Sequence, residues 1–236
     1  MQIGILECGK PPDRVVERHG DYPAIFARML ARHGFNFKTY SAETLDLPTS
    51  VYACDGWLIP GSRLGVYENH GFLPPLQAFI RKAHSAAVPM VGICFGHQVI
   101  AKALGGRVEK FQGGWSVGRH VYSFEGLGDL ALNAWHQDQV LDAPPGAKTI
   151  ATSLFCHHAG LAYGDRAWTV QCHPEYSQEI LHDMIAARRG TSSIPESQLD
   201  TAEMLLSEPL DFDIISAEIA RFFKRERRPV QKAAGG

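Results

Sequence analysis

The chain has 236 residues, a size that one α/β domain can fill and that buries a sizeable core. Its 23 lysines and arginines against 25 aspartates and glutamates leave a formal net charge of −2, which excludes a broad basic field that would hold nucleic acid or an anionic membrane non-specifically. The opening MQIGILECGK has neither a basic n-region nor an apolar h-region, and no later stretch approaches the roughly 18 apolar residues of a membrane span, so a cytoplasmic protein with a small soluble partner is expected.

Residues 2–8, QIGILEC, form a short apolar run that predicts a buried strand, and the Gly/Pro-containing stretch 9–20 predicts a loop. A helix follows: Asp21 can cap it, Pro23 sits in its first turn, Ala24, Ile25, Phe26, Met29 and Leu30 recur at helical spacing, and Gly34 supplies the stop. Residues 35–41 and 56–61 predict strands, 74–86 an amphipathic helix opened by proline, and 88–93 a strand that stops at Cys94. Residues 95–106 then place Val99, Ile100, Ala103 and Leu104 on one helical face before Gly105 and Gly106. This alternation implies a parallel sheet covered on both faces.

From about 107 to 172 the pattern changes to short strands between turns, GRHVYSF, KTIATS and RAWTVQC, and predicts an antiparallel extension. Residues 177–190 and 211–227 are helical in period, the second with a stripe of Phe212, Ile215, Ile219, Phe222 and Phe223 that reads as a helix docking on the body. The final RRPVQKAAGG reads as a frayed end. Five cysteines (Cys8, Cys54, Cys94, Cys156, Cys172) lack both zinc-site spacing and the density of a disulfide scaffold, so reduced thiols are expected. His157 and His158 read as loop residues and not as a metal site, because adjacent side chains diverge. Trp115 and Trp135 fit a pocket lining or ordinary packing equally well.

In VGICFGHQ (91–98) the run Gly92-Ile93-Cys94-Phe95-Gly96 has the G-x-nucleophile-x-G form of an elbow between a strand and a helix. Glycines suit such a turn because side chains there would meet backbone, and a cysteine at a helix N-terminus is favoured as thiolate. A thiolate nucleophile needs a proton-transfer partner oriented by a third group. QCHPE (171–175) offers one: residues two apart on an extended chain share a side, so Glu175 can reach the imidazole of His173, and Pro174 restricts the pair.

With these residues the chain resembles the class I glutamine amidotransferases, whose cysteine lies in a G-x-C-x-G-x-Q elbow and whose histidine and glutamate lie in H-P-E. Cys94, Gln98, His173 and Glu175 match residue by residue, and the resemblance runs from about 40 to 190. It implies an α/β fold with a doubly wound, mostly parallel sheet, helices on both faces and a small antiparallel extension. Residues 1–190 would form that domain and 191–236 a helical extension packed on it.

LIPGSRLGVYE (58–68) resembles the family's oxyanion loop through Gly61, Val66 and Tyr67, with Ser62, Arg63 and Gly65 in place of its glycine, proline and serine. The resemblance implies that a backbone N–H of Gly61 or Ser62, with that of Phe95, holds the oxyanion. WHQDQV (135–140) resembles a loop of the GMP synthase glutaminase domain through His136, Asp138 and Val140, which makes main chain at Gln137 and Asp138 substrate-binding candidates beside Gln98 of the elbow motif; GGWSVG (113–118) resembles a loop beside the pocket.

The implied activity is Cys94-dependent hydrolysis of the γ-amide of glutamine through a γ-glutamyl thioester, with catalytic Cys94, His173 and Glu175, and with no cofactor or metal. The chain carries no ATP-binding signature, so ammonia would pass to a synthetase partner. Two alternatives stand beside it: a stand-alone γ-glutamyl peptidase acting on γ-glutamyl peptides or amides, and a binding or regulatory module that has lost the chemistry.

Overall fold

The computed structural model describes residues 1–191 and 193–226; the run RRPVQKAAGG (227–236) lies outside the described residues. Along the chain, β1 (Gln2–Glu7), α1 (Asp13–His19), α2 (Tyr22–Met29), β2 (Asn36–Ser41), β3 (Gly56–Ile59), α3 (Leu73–Ser85), β4 (Met90–Ile93) and α4 (Phe95–Ala103) come first. The strands β5 (Arg107–Lys110), β6 (Ser116–Phe124), β7 (Gly128–His136), β8 (Asp138–Asp142), β9 (Lys148–Thr152), β10 (Gly160–Ala162) and β11 (Ala167–Val170) follow, and α5 (Gln178–Arg188), α6 (Glu196–Met204) and α7 (Phe212–Lys224) complete it.

Nine strands form one sheet in the order β2-β1-β3-β4-β11-β10-β9-β6-β7, and β5 pairs with β8 in a second, two-stranded sheet. Pairings from β2 through β11 are parallel and those from β11 to β7 antiparallel. The central strands are apolar on both faces because both are covered. Ile3, Ile5, Leu58, Val91 and Ile93 point into a layer with Ile25 and Phe26 of α2 and Ile219 and Phe223 of α7. Their neighbours Leu6, Trp57, Ile59 and Met90 point the other way, against Phe79 of α3 and Val99 of α4.

Local chemistry sets the helix ends. Asp21 caps α2 by accepting from the Ala24 N–H at 3.0 Å, Ser177 caps α5 by accepting from Ile180 at 3.3 Å, and Gly34 stops its turn at φ 71°. Each side chain satisfies one of the free N–H groups of a first turn.

Four features differ from the sequence expectation. Residues 13–19 are a helix, α1, not loop. It buries only Val15 and is held by charge: Arg14, Arg18 and His19 all reach the Asp183 carboxylate of α5, which is fully buried, at 2.9, 2.6 and 2.7 Å. Second, β11 lies parallel to β4, so the excursion begun at 107 returns to the parallel layer before His173. Third, WHQDQV is no free loop but the end of β7 and the start of β8, joined at Gln137, and Ser116–Gly118 of GGWSVG already belong to β6. Fourth, between the two expected helices 177–190 and 211–227, inside the expected helical extension, lies a further helix, α6, and its Ala202 packs so closely on Gly118 that a Cβ there would come within 2.6 Å of the alanine methyl.

In α7, Ile215, Ile219, Phe222 and Phe223 are buried while Phe212 stays 40% exposed. All five cysteines are buried free thiols. Among the described residues, no helix is long and apolar enough to cross a membrane.

Candidate active site

β4 delivers Cys94 to the carboxyl edge of the parallel strands, where open α/β sheets leave a crevice. Cys94 has φ 52° and ψ −103°, a region that residues with a side chain rarely adopt, so the turn holds strain at this position. Two glycines permit it. A Cβ on Gly92 would lie 2.6 Å from the Gly96 carbonyl, and one on Gly96 would be driven into the Ile59 carbonyl oxygen. The Cys94 N–H donates to the Val170 carbonyl at 2.9 Å, which ties the elbow to β11.

The same edge brings His173 and Glu175 to Cys94, because β11 is the next strand in the sheet. His173 Nδ1 lies 2.7 Å from Glu175 Oε1, and the Glu175 side chain is fully buried. The His173 backbone N–H donates to the Asn133 carbonyl at 2.8 Å, and the Tyr176 ring stacks on the imidazole at 4.1 Å between centroids. Burial opposes a charged imidazole here. Glu175 and Cys94 outweigh it, the cysteine also through a side-chain hydrogen bond, and raise the pKa of His173 to about 10.

The cleft above Cys94 has a volume of about 250 Å³ and includes Ser62, Gln98, Trp115, Trp135, Gln137 and Asp138 in its wall. Both tryptophans that fitted packing and pocket alike therefore face it. Gly61 lies against the triplet: a Cβ there would be 3.1 Å from His173 Cε1 and 3.3 Å from the Tyr22 hydroxyl. Ser62 Oγ accepts from the Leu64 N–H at 3.2 Å, and Phe95 opens α4 directly after the cysteine, its side chain buried.

Gln98 is braced: its Nε2 donates to the Asp138 carbonyl at 2.9 Å and to Gln171 Oε1 at 3.0 Å. Gln137 Nε2 donates to the Phe111 carbonyl at 3.1 Å. The Asp138 carboxylate accepts from the Tyr67 hydroxyl at 3.0 Å, and burial raises its pKa. His136 is buried at the wall, its Nδ1 within 3.1 Å of the Asp138 carbonyl, and desolvation lowers its pKa to about 3, so it stays neutral. His158, by contrast, pairs with Thr149 Oγ1 at 2.8 Å, away from this set.

Sequence reasoning passed over Gln171, whose Nε2 donates to Cys94 Sγ at 3.5 Å from a fully buried position. Strand alternation contains the signal, since Gln171 and His173 are two apart. It also missed Tyr22, whose hydroxyl lies 2.9 Å from that of Tyr176, and the cations Lys10, Lys110 and Arg188 at the cleft wall. Nothing local in the sequence marks these four residues.

The pattern defining the family described as glutamine amidotransferase class-I matches residues 15–188. A glutamine amidotransferase-like protein of Schizosaccharomyces pombe is 26% identical, over 93% of this chain and 97% of its own length. Gamma-glutamyl peptidase 4 of Arabidopsis thaliana is 25% identical, over 80% of this chain and 82% of its own. The crystal structure of a glutamine amidotransferase from Thermotoga maritima superposes with a TM-score of 0.74 at 20% identity, covering 95% of this chain and 99% of that one. With the match extending across most of its length and the fold in agreement, the chain belongs to the class I glutamine amidotransferase family.

Proposed function

We propose that this protein hydrolyses a γ-glutamyl amide bond through a γ-glutamyl thioester on Cys94. The observation that supports it is one constellation: a strained, cleft-facing cysteine beside a buried imidazole, which is itself 2.7 Å from a buried carboxylate. Cys94 Sγ attacks the γ-carbonyl carbon, and the N–H groups of Gly61 or Ser62 and of Phe95 receive the developing oxyanion. His173, protonated at neutral pH, gives its proton to the departing nitrogen, and the C–N bond breaks as the thioester forms. Water then attacks the thioester carbon while His173 takes its proton, the C–S bond breaks, glutamate leaves and the Cys94 thiolate beside a protonated His173 is restored. Glu175 keeps the imidazole oriented throughout and favours its charged form before the proton is given and after it is regained.

With glutamine as substrate the product nitrogen is ammonia, which an acceptor on a partner subunit would consume. A second reading makes the leaving group an amino acid or peptide, with no partner needed. It is favoured by the likeness to a gamma-glutamyl peptidase over most of both chains. In either case Gln98 supports the cleft, and main chain at Gln137 and Asp138 holds the amino-acid end of the substrate.

Purified protein incubated with L-glutamine or with γ-glutamyl peptides is expected to release glutamate, and Cys94→Ala to abolish that release without loss of fold. Near-normal release by Cys94→Ala, or no release from any γ-glutamyl compound by the unmodified protein, would overturn the proposal, the second result pointing to a binding module.

A further inference from the structure

The chain as a whole is slightly acidic, with 23 basic against 25 acidic residues, yet its cleft is not. Lys10, Arg63, Lys110 and Arg188 line it against only Glu68 and Asp138. Both acids are already engaged. Glu68 accepts from the Gly65 N–H at 2.9 Å and pairs with His70 at 2.7 Å, and Asp138 accepts from Tyr67. Among the described residues, none of Lys10, Arg63 and Arg188 has a carboxylate within ion-pair distance.

These three cations share one side of the cleft. Ser62 precedes Arg63 and sits against the Lys10 loop, since a Cβ on Gly9 would lie 2.8 Å from Ser62 Oγ. Gly61 in turn abuts His173 and Tyr22. Arg188 ends α5 on that side, close enough for its charge to act on the Tyr22 hydroxyl, which bonds the tyrosine stacked on His173. The charge of Lys110, also at the cleft wall, already acts on Glu68 and Asp138.

The side matters because His173 must face the departing nitrogen. Gly61, which abuts His173, leads directly into Ser62 and Arg63 beside the Lys10 loop, so these cations line the wall of the cleft next to the imidazole. With the amino-acid end of glutamine at Gln137 and Asp138, as in the reading above, its leaving-group end is only ammonia and brings no anion to these cations. An unpaired cation cluster in a concave site favours a ligand with fixed negative charge.

Resting on the thioester reading above, we propose that the preferred substrate is a γ-glutamyl compound whose leaving amine carries a carboxylate or similar anion, selected by Lys10, Arg63 and Arg188. Glutamine is then a minimal substrate, poorly retained on its leaving-group side.

The test compares kcat/KM of the full chain for glutathione, for glutathione with its C-terminal carboxylate converted to the amide, and for the neutral γ-glutamyl-p-nitroanilide. One charge-assisted contact corresponds to about tenfold or more, so the free acid should exceed its amide by at least that factor. The ratio should fall toward one in Arg188→Gln and, as a second variant on an exposed loop, in Arg63→Gln, and it should shrink as salt rises. A ratio near one in the unmodified protein, with Cys94-dependent turnover of all three compounds, overturns this inference and leaves the proposed hydrolysis standing. A large ratio that neither variant moves also overturns it, because other groups would then read the anion. Cys94-dependent turnover of L-glutamine but of none of the three compounds overturns this inference alone, and absence of turnover of L-glutamine as well removes both.

Discussion

Glu175→Gln keeps the size of the side chain and removes its charge, 2.7 Å from the ring nitrogen of His173. The Glu175 charge is the largest influence raising the His173 pKa against the desolvation that would lower it. A buried opposite charge at contact is worth about one to three pKa units, or about 1.4–4 kcal/mol of preference for the imidazolium. The sign follows directly. With Glu175 the imidazole stays protonated up to about pH 10, and the variant should lose its proton one to three units lower. Because the protonated ring supplies the leaving group's proton, the alkaline limb of kcat/KM should move down by the same amount. The assay is a pH series of glutamate release beside an NMR titration of His173 in both proteins. An unshifted alkaline limb and an unshifted His173 titration in a folded variant would refute the role given to Glu175.

Other perturbations have equally definite outcomes. Gln171→Leu removes the donor to Cys94 Sγ while Gln98 keeps its bond to the Asp138 carbonyl, so alkylation of Cys94 by iodoacetamide at neutral pH and kcat should both fall about tenfold, with little change in KM. Asp183→Asn breaks the attachment of α1 to α5 and should cost about 1–3 kcal/mol in denaturant unfolding. In the unmodified protein burial works against the Asp183 charge, but His19, Arg14 and Arg18 outweigh it and hold the pKa at about 2, below the ordinary 3.8. That stabilisation is therefore full above pH 3.8 and disappears as pH falls toward 2, a dependence the variant should lack. Gly96→Ala forces a methyl into the Ile59 carbonyl and should cost at least about 3 kcal/mol or abolish soluble expression, whereas Gly114→Ala, where a Cβ meets open space, should leave the protein folded despite some backbone strain at φ 91°.

The elbow was readable because its constraint is local: glycines at 92 and 96 and a cysteine between a strand and a helix leave few backbone solutions. The His173–Glu175 pair was readable for the same reason, since strand alternation and Pro174 act within three residues. The first four parallel strands followed from short apolar runs between helical periods. Elements held by distant partners were not visible. Helix α1 is fixed by a carboxylate at position 183, and α6 by the fit of Ala202 against Gly118. The direction of β11 could not be read either, because a four-residue apolar strand is equally at home beside parallel and antiparallel neighbours. Residues 135–140 matched a known segment in composition, but their division between two strands depends on pairing with β6 and β5. The cleft's cations come from positions 10, 63, 110 and 188, and only the sheet brings them together.

The central claim is a covalent one, that a γ-glutamyl group passes through Cys94. Protein mixed with a γ-glutamyl substrate, quenched in acid within a turnover and analysed by intact-mass and peptide mass spectrometry, tests it most directly. A thioester on Cys94 gives a mass increase of one γ-glutamyl group confined to the peptide containing Cys94 and absent from Cys94→Ala. Release of glutamate at equal rate by both proteins, with no adduct on that peptide, would contradict it.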